Sequence, residues 1–112
     1  MPRAATTSDV FNAIAEPRRR EIIEFLSAGE RAVGDIVREM RLSQPAVSKH
    51  LGVLRRVRLV SVNRRGRSRV YRLHPQPLKS VFDWTSMFER FWNQQIDRIK
   101  ARAEKQAREK GH

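Results

Sequence analysis

The chain has 112 residues, with 24 Lys and Arg against 12 Asp and Glu and no cysteine. That length fits one domain with a modest core, and the lack of thiols excludes a disulfide framework and a thiolate metal site. A formal net charge of +12 asks for a partner of opposite sign, nucleic acid before an anionic membrane surface.

The charge is concentrated. Between Met40 and Phe82 there is no Asp or Glu but eleven Lys and Arg, so the flanks net only +1, with 13 basic and 12 acidic residues. No apolar run approaches the ~20 residues of a membrane span. The stretch Met1 to Asp9 lacks the apolar core of a signal peptide. A soluble cytoplasmic protein is expected, in keeping with the absence of cysteine.

Residues 1–7 read as a loose arm. Ser8 or Asp9 is placed to cap a first helix through Ala15, with Val10, Phe11 and Ile14 at helical spacing. Pro17 opens a second helix, where its missing N–H costs nothing. Ile22, Ile23, Phe25 and Leu26 give it an apolar face, and Gly29 ends it. Arg18, Arg19 and Arg20 oppose the macrodipole there, and Glu16, Glu21 or Glu24 are expected to offset them. A third helix fits Val33 to Met40, with Val33, Ile36, Val37 and Met40 inward, and Arg41-Leu42 makes a tight turn. Ser43 then caps a fourth helix with Pro45 in its first turn. Val47, Leu51 and Leu54 form its buried stripe, leaving Gln44, Pro45, Ser48, Lys49, Arg55 and Arg56 on or beside the opposite face.

The period then becomes extended. Leu59 to Arg65 and Arg69 to Leu73 alternate as two strands, with Gly66-Arg67-Ser68 as the turn. After His74-Pro75-Gln76-Pro77, one long helix is expected from about Leu78, fraying beyond Lys100.

Two short helices joined by a tight turn make a helix-turn-helix, and an Arg-rich hairpin directly after it makes the winged form. The N-terminal part of such a second helix meets base edges in the major groove. Gln44, Ser48 and Lys49 have the chemistry for bases, and Ser43 marks a phosphate site at a helix start. Arg55 and Arg56 are assigned to the DNA backbone. Arg64, Arg65, Arg67 and Arg69 cluster near the hairpin tip, where they suit a narrow minor groove or flanking phosphates. His50 falls on the edge of the buried stripe, where a bond within the fold and a DNA contact are equally open by chemistry alone.

The run Ser43-Gln44-Pro45-Ala46-Val47-Ser48-Lys49-His50-Leu51, then Leu54, Leu59-Val60 and Arg65-Gly66-Arg67 to Tyr71, resembles the ArsR/SmtB winged-helix regulators. The likeness extends from about Val10 to Ile99 and includes Ala15-Glu16-Pro17-Arg18-Arg19. It implies a homodimeric transcriptional repressor on double-stranded DNA at a near-palindromic operator, with Ser48, His50 and Gln44 contributing to DNA contact. The aromatic segment at Trp84 and Phe88 to Trp92 is similar to the metal-independent, SdpR-like branch, whose members are autorepressors. Metal-sensing relatives use a Cys-x-Cys segment or carboxylate and His pairs on the last helix. Here there is no cysteine, and His50, His74 and His112 lie in three separate segments without ligand spacing. No metal and no cofactor are expected. There is no nucleophile elbow and no Gly-rich phosphate loop, so no enzyme is expected either.

Five of the eight aromatics fall between Phe82 and Trp92. Phe82, Trp84, Phe88, Phe91 and Trp92, followed by Ile96, do not fit one narrow stripe, and a chain this small leaves much of that surface wet. Symmetric pairing through this helix is expected, with Phe11 and Ile14 of the first helix as second contributors. The expected whole is mainly α with a small β-hairpin: a single winged helix-turn-helix domain over 1–112. Within it, residues 33–56 form the helix-turn-helix, 59–73 the wing, 8–15 and 78–100 the dimerisation helices, and 101–112 a frayed tail. The rival reading is a nucleoid-type protein that binds DNA through backbone charge alone. RNA is disfavoured because only Tyr71 offers a stacking ring in the hairpin. A membrane surface is disfavoured because the basic residues do not line one amphipathic helix. The effector, if any, is not legible.

Overall fold

The computed structural model describes residues 5–110, with side chains from Val10 to Lys110. Helix α1 covers Ala5–Ile14. It therefore begins inside the stretch expected to be a loose arm, whose first four residues lie outside the described ones. Ser8 and Asp9 fall within its body, not at its cap.

Helix α2, Pro17–Ser27, starts where proline allows, and the Glu16 carboxylate accepts the Arg18 backbone N–H at 3.2 Å. The three arginines that follow are not left against the helix dipole. Arg19 donates through Nε to the Ala13 carbonyl at 2.6 Å and through Nη2 to Asn12 at 3.2 Å. Arg20 reaches the carbonyls of Ile14 at 2.8 Å and Ala15 at 3.2 Å. Both cations thus sit at the C-terminal end of α1, where the dipole favours them. Arg18 pairs with Glu21 at 3.0 Å. Glu16 and Glu21 carry the expected compensation, whereas Glu24 makes no ion pair among the described residues.

A short strand that periodicity does not reveal, β1 (Arg31–Ala32), precedes α3, Val33–Met40. Arg41 closes α3 in the left-handed conformation, φ 56, and its N–H bonds the Val37 carbonyl. Helix α4, Gln44–Arg56, is capped by Ser43, whose hydroxyl accepts the Ala46 N–H at 3.3 Å. Strands β2 (Val60–Arg65) and β3 (Ser68–Leu73) form the wing. Because Arg65 pairs with Ser68, the connection is the two residues Gly66-Arg67, not the three expected. Gly66 supplies φ 61, as a primed hairpin turn with glycine first requires. β1 joins the free side of β3, giving an antiparallel sheet of order β1-β3-β2.

The core is built by the predicted faces. Ile22 and Leu26 of α2, Ile36 and Met40 of α3, and Val47, Leu51 and Leu54 of α4 are buried together with Leu59, Val60 and Tyr71. Ile14 packs against this cluster.

Beyond the wing, a 3₁₀ turn at Gln76–Leu78 leads into α5, Lys79–Ser86, and then α6, Glu89–Lys110. The single long helix expected from Leu78 is therefore broken at Met87-Phe88. The cause is local. The Ser86 hydroxyl donates to the Phe82 carbonyl at 2.7 Å and the Thr85 hydroxyl to the same carbonyl at 3.0 Å, competing with the helix's own ladder. The next N–H groups, of Met87 and Phe88, fall back on carbonyls three residues earlier. The tail expected to fray beyond Lys100 is helical through Lys110; Gly111 and His112 lie outside the described residues. The described residues fall into two compact units, divided between Val81 and Phe82. Among the described residues no helix is long and apolar enough to cross a membrane.

Candidate nucleic-acid interface

Burying Val47, Leu51 and Leu54 fixes the rotation of α4, and so fixes what it shows to solvent. Gln44, Pro45, Ser48 and Lys49 are all exposed, with Ser43 exposed at the cap. His50 lies between, half-buried, and its Nδ1 is buried with no hydrogen-bond partner among the described residues.

The period of two along β3 does the same for the wing. Tyr71 is buried, so Arg69 lies on the same face of β3, past the end of the core. Arg64 stands directly opposite Arg69 in the register. Like charges facing each other across a ladder are destabilising, and neither guanidinium has a partner among the described residues.

These two surfaces meet in a polar cleft of about 540 Å³. Gln44 and Ser48 form one wall, Arg67, Ser68 and Arg69 the other, with Tyr71 and the start of α3 at the base. Residues distant in sequence are thereby brought together: the first turns of α4, which carry amide and hydroxyl groups, and the wing tip, which carries guanidinium groups. Asp35 and Arg38 also line the cleft and are ion-paired to each other. Sequence reasoning passed over both. Arg38 lies just outside the acid-free window, and its exposed position on α3 was the available signal.

Other predicted residues stand apart. Arg65 is ion-paired with Glu30, an acid from outside the window, so one of the four wing arginines is already neutralised. Arg56 curls back, its Nε donating to the Gly52 carbonyl at 3.4 Å. Arg55 lines a different cleft, at the far end of α4.

Of the residues expected in self-association, Phe82, Trp84, Phe91, Trp92 and Ile96 are each more than half exposed, and Phe88 is 37% exposed. Trp84 meets Phe88 edge to face at 5.3 Å between ring centres. Phe11 and Ile14 are both half-buried, Ile14 with part of its surface packed against the core.

The family described as "Bacterial regulatory protein, arsR family" matches residues 16–62, from the cap of α2 into β2. The transcriptional repressor SdpR of Bacillus subtilis is 33% identical over 72% of this chain and 90% of its own length. The HTH-type transcriptional regulator Rv2034 of Mycobacterium tuberculosis is 40% identical over 77% of this chain and 78% of its own. Among solved structures, NolR from Sinorhizobium fredii superposes with a TM-score of 0.63 at 30% identity, covering 76% of this chain and 86% of that one. The α3–α4 pair with its wing, and sequence agreement across most of a full-length repressor, place this chain in the arsR family of bacterial regulatory proteins.

Proposed function

We propose that this chain is a sequence-specific DNA-binding transcriptional regulator, a homodimeric repressor that acts by occupying promoter DNA. The observation that carries this reading is the polar cleft, where Gln44 and Ser48 of α4 face Arg67 and Arg69 of the wing. The first turns of α4 enter the major groove, with Gln44 and Lys49 reading bases and Ser43 and Ser48 serving bases or phosphates. The α4 N-terminus favours a phosphate beside Ser43. Arg64, Arg67 and Arg69 take the flanking minor groove or phosphates, and their unrelieved repulsion is relaxed when DNA supplies the counter-charge. Arg65 contributes less, since it gives up an ion pair to engage. Arg55 and Arg56 reach backbone at the edge of the footprint. His50, at the edge of the buried stripe, takes a phosphate or a structural role beside the DNA.

Homodimerisation follows from the exposed aromatics of α5 and α6, with Phe11 and Ile14 of α1 contributing. Two copies of α4 then present to successive turns of a near-palindromic site, about 34 Å apart. Repression, including of the protein's own gene, is the activity this arrangement serves.

Titration of matched and scrambled duplexes at several salt concentrations tests the reading. Gln44→Ala and Lys49→Ala should each relax base preference by roughly 1–3 kcal/mol at one base pair, while Arg67→Ala weakens all sequences alike and lowers the salt slope by about one unit. A uniform loss in all three variants means backbone charge alone is at work.

A further inference from the structure

A second cleft, of about 620 Å³, opens where the C-terminal end of α4 meets the base of the wing. Small-molecule sites occupy roughly 300–1,000 Å³. Val57, Val60 and Pro77 give this one apolar walls, and Arg55 and Arg58 bring two guanidinium groups. Neither guanidinium has a hydrogen-bond or ion-pair partner among the described residues, and no carboxylate lines the cleft. On the polar wall, Ser61 Oγ and His74 Nε2 stand 2.6 Å apart.

Arg58 is the left-handed residue that follows the end of α4, much as Arg41 closes α3, and the Leu59 N–H completes the cap by bonding the Leu54 carbonyl. Arg58 has φ 64, a conformation that glycine adopts freely and other residues seldom do. That cap position, which glycine usually takes, here puts a cation at the cleft.

We infer that this cleft binds a small organic acid, a carboxylate with an apolar body. The carboxylate lies against Arg55 and Arg58 in charge-assisted hydrogen bonds, and the body lies on Val57, Val60 and Pro77. The site also spans both elements of the proposed DNA-reading face. Arg55 is in the last turn of α4 and Ser61 is in β2. The intervening backbone is pinned by Leu59 N–H to the Leu54 carbonyl at 2.9 Å and by His74 N–H to the Leu59 carbonyl at 2.7 Å. A bound acid therefore biases how α4 sits against the wing, and shifts DNA affinity to the extent that it prefers one arrangement. That coupling rests on the DNA-binding reading above; the acid site does not.

Calorimetric titration of the full chain without DNA tests the site, with octanoate and phenylacetate as probes and octanol as the uncharged counterpart. Saturable binding of an acid, one per chain, is expected. It should weaken by about tenfold or more in Arg58→Asn, which keeps a residue tolerant of the left-handed backbone while removing the charge. Ser61→Leu, which fills the cleft, should weaken it as well, and thermal melts confirm that both variants fold. Octanol binding as tightly as octanoate, full affinity in both variants, or no saturable binding of either acid overturns the site. With a bound duplex, saturating octanoate should change DNA affinity by about fivefold or more. An unchanged affinity overturns the coupling, whereas a chain that binds acid but no DNA refutes the proposed function and leaves the site standing.

Discussion

Arg19 ties two helices together with one side chain, its guanidinium donating to carbonyls at the end of α1 from the first turn of α2. Hydrogen bonds that involve a charged group contribute about 1.5–3 kcal/mol. Arg19→Ala should lower stability by about that amount in urea unfolding, and Arg20→Ala, at a more exposed position, by less. Within the fold, Ser43 does a local job, capping α4. Ser43→Ala should cost roughly 1 kcal/mol, and Ser43→Gly only a few tenths; the same unfolding measurement ranks the two. The contrast explains what was legible at this scale. A cap bonds an N–H three residues away, so Ser43 could be read from its neighbours. The acceptors of Arg19 and Arg20 exist only once the chain turns between α1 and α2, so those arginines read as a misfit until the turn was seen. The Arg65–Glu30 pair has the same origin, since its acid comes from a distant segment.

The wing shows how an element carries a cost that the fold does not need. Arg64 and Arg69 oppose each other in the ladder, and neither is paired with a carboxylate among the described residues. Replacing one of them, Arg64→Gln, should raise stability by a few tenths to about 1 kcal/mol, because a like-charge cross-strand pair is removed. The same variant should weaken DNA binding at low salt. Thermal melts and duplex titrations on one preparation check both; a variant that is less stable, or that binds DNA undiminished, contradicts the assignment. The four predicted helices through Arg56 and both wing strands were legible because their apolar periods are long enough to read. β1 was not, because two residues carry no period and the strand exists only by pairing with β3. The break between α5 and α6 was missed because apolar spacing runs through it; the signal lay in Thr85 and Ser86, whose hydroxyls take the carbonyl that the helix needs.

Charge and aromatic content act over the whole molecule. The acid-free window from Met40 to Phe82 was visible in the sequence, and its residues form both walls of the polar cleft. What the sequence could not supply was the separation of basic residues into two places, with Arg67 and Arg69 in the cleft facing Gln44 and Arg55 and Arg58 at the far end of α4. The proposed second copy would cover the exposed aromatics. Trp92 is 53% exposed, and Trp92→Glu should give monomers in sedimentation; an intact dimer removes α6 from the proposed interface. A monomeric variant should also lose DNA affinity, because one recognition helix must then hold alone. The central claim is that two copies of α4 and its wing read adjoining turns of a duplex. Protection footprinting on the DNA upstream of the protein's own coding sequence tests it most directly. Two protected patches on an inverted repeat, centred about one helical turn or ~34 Å apart, are predicted. Even coverage without boundaries, or no protection at concentrations that saturate a chosen duplex, would contradict it.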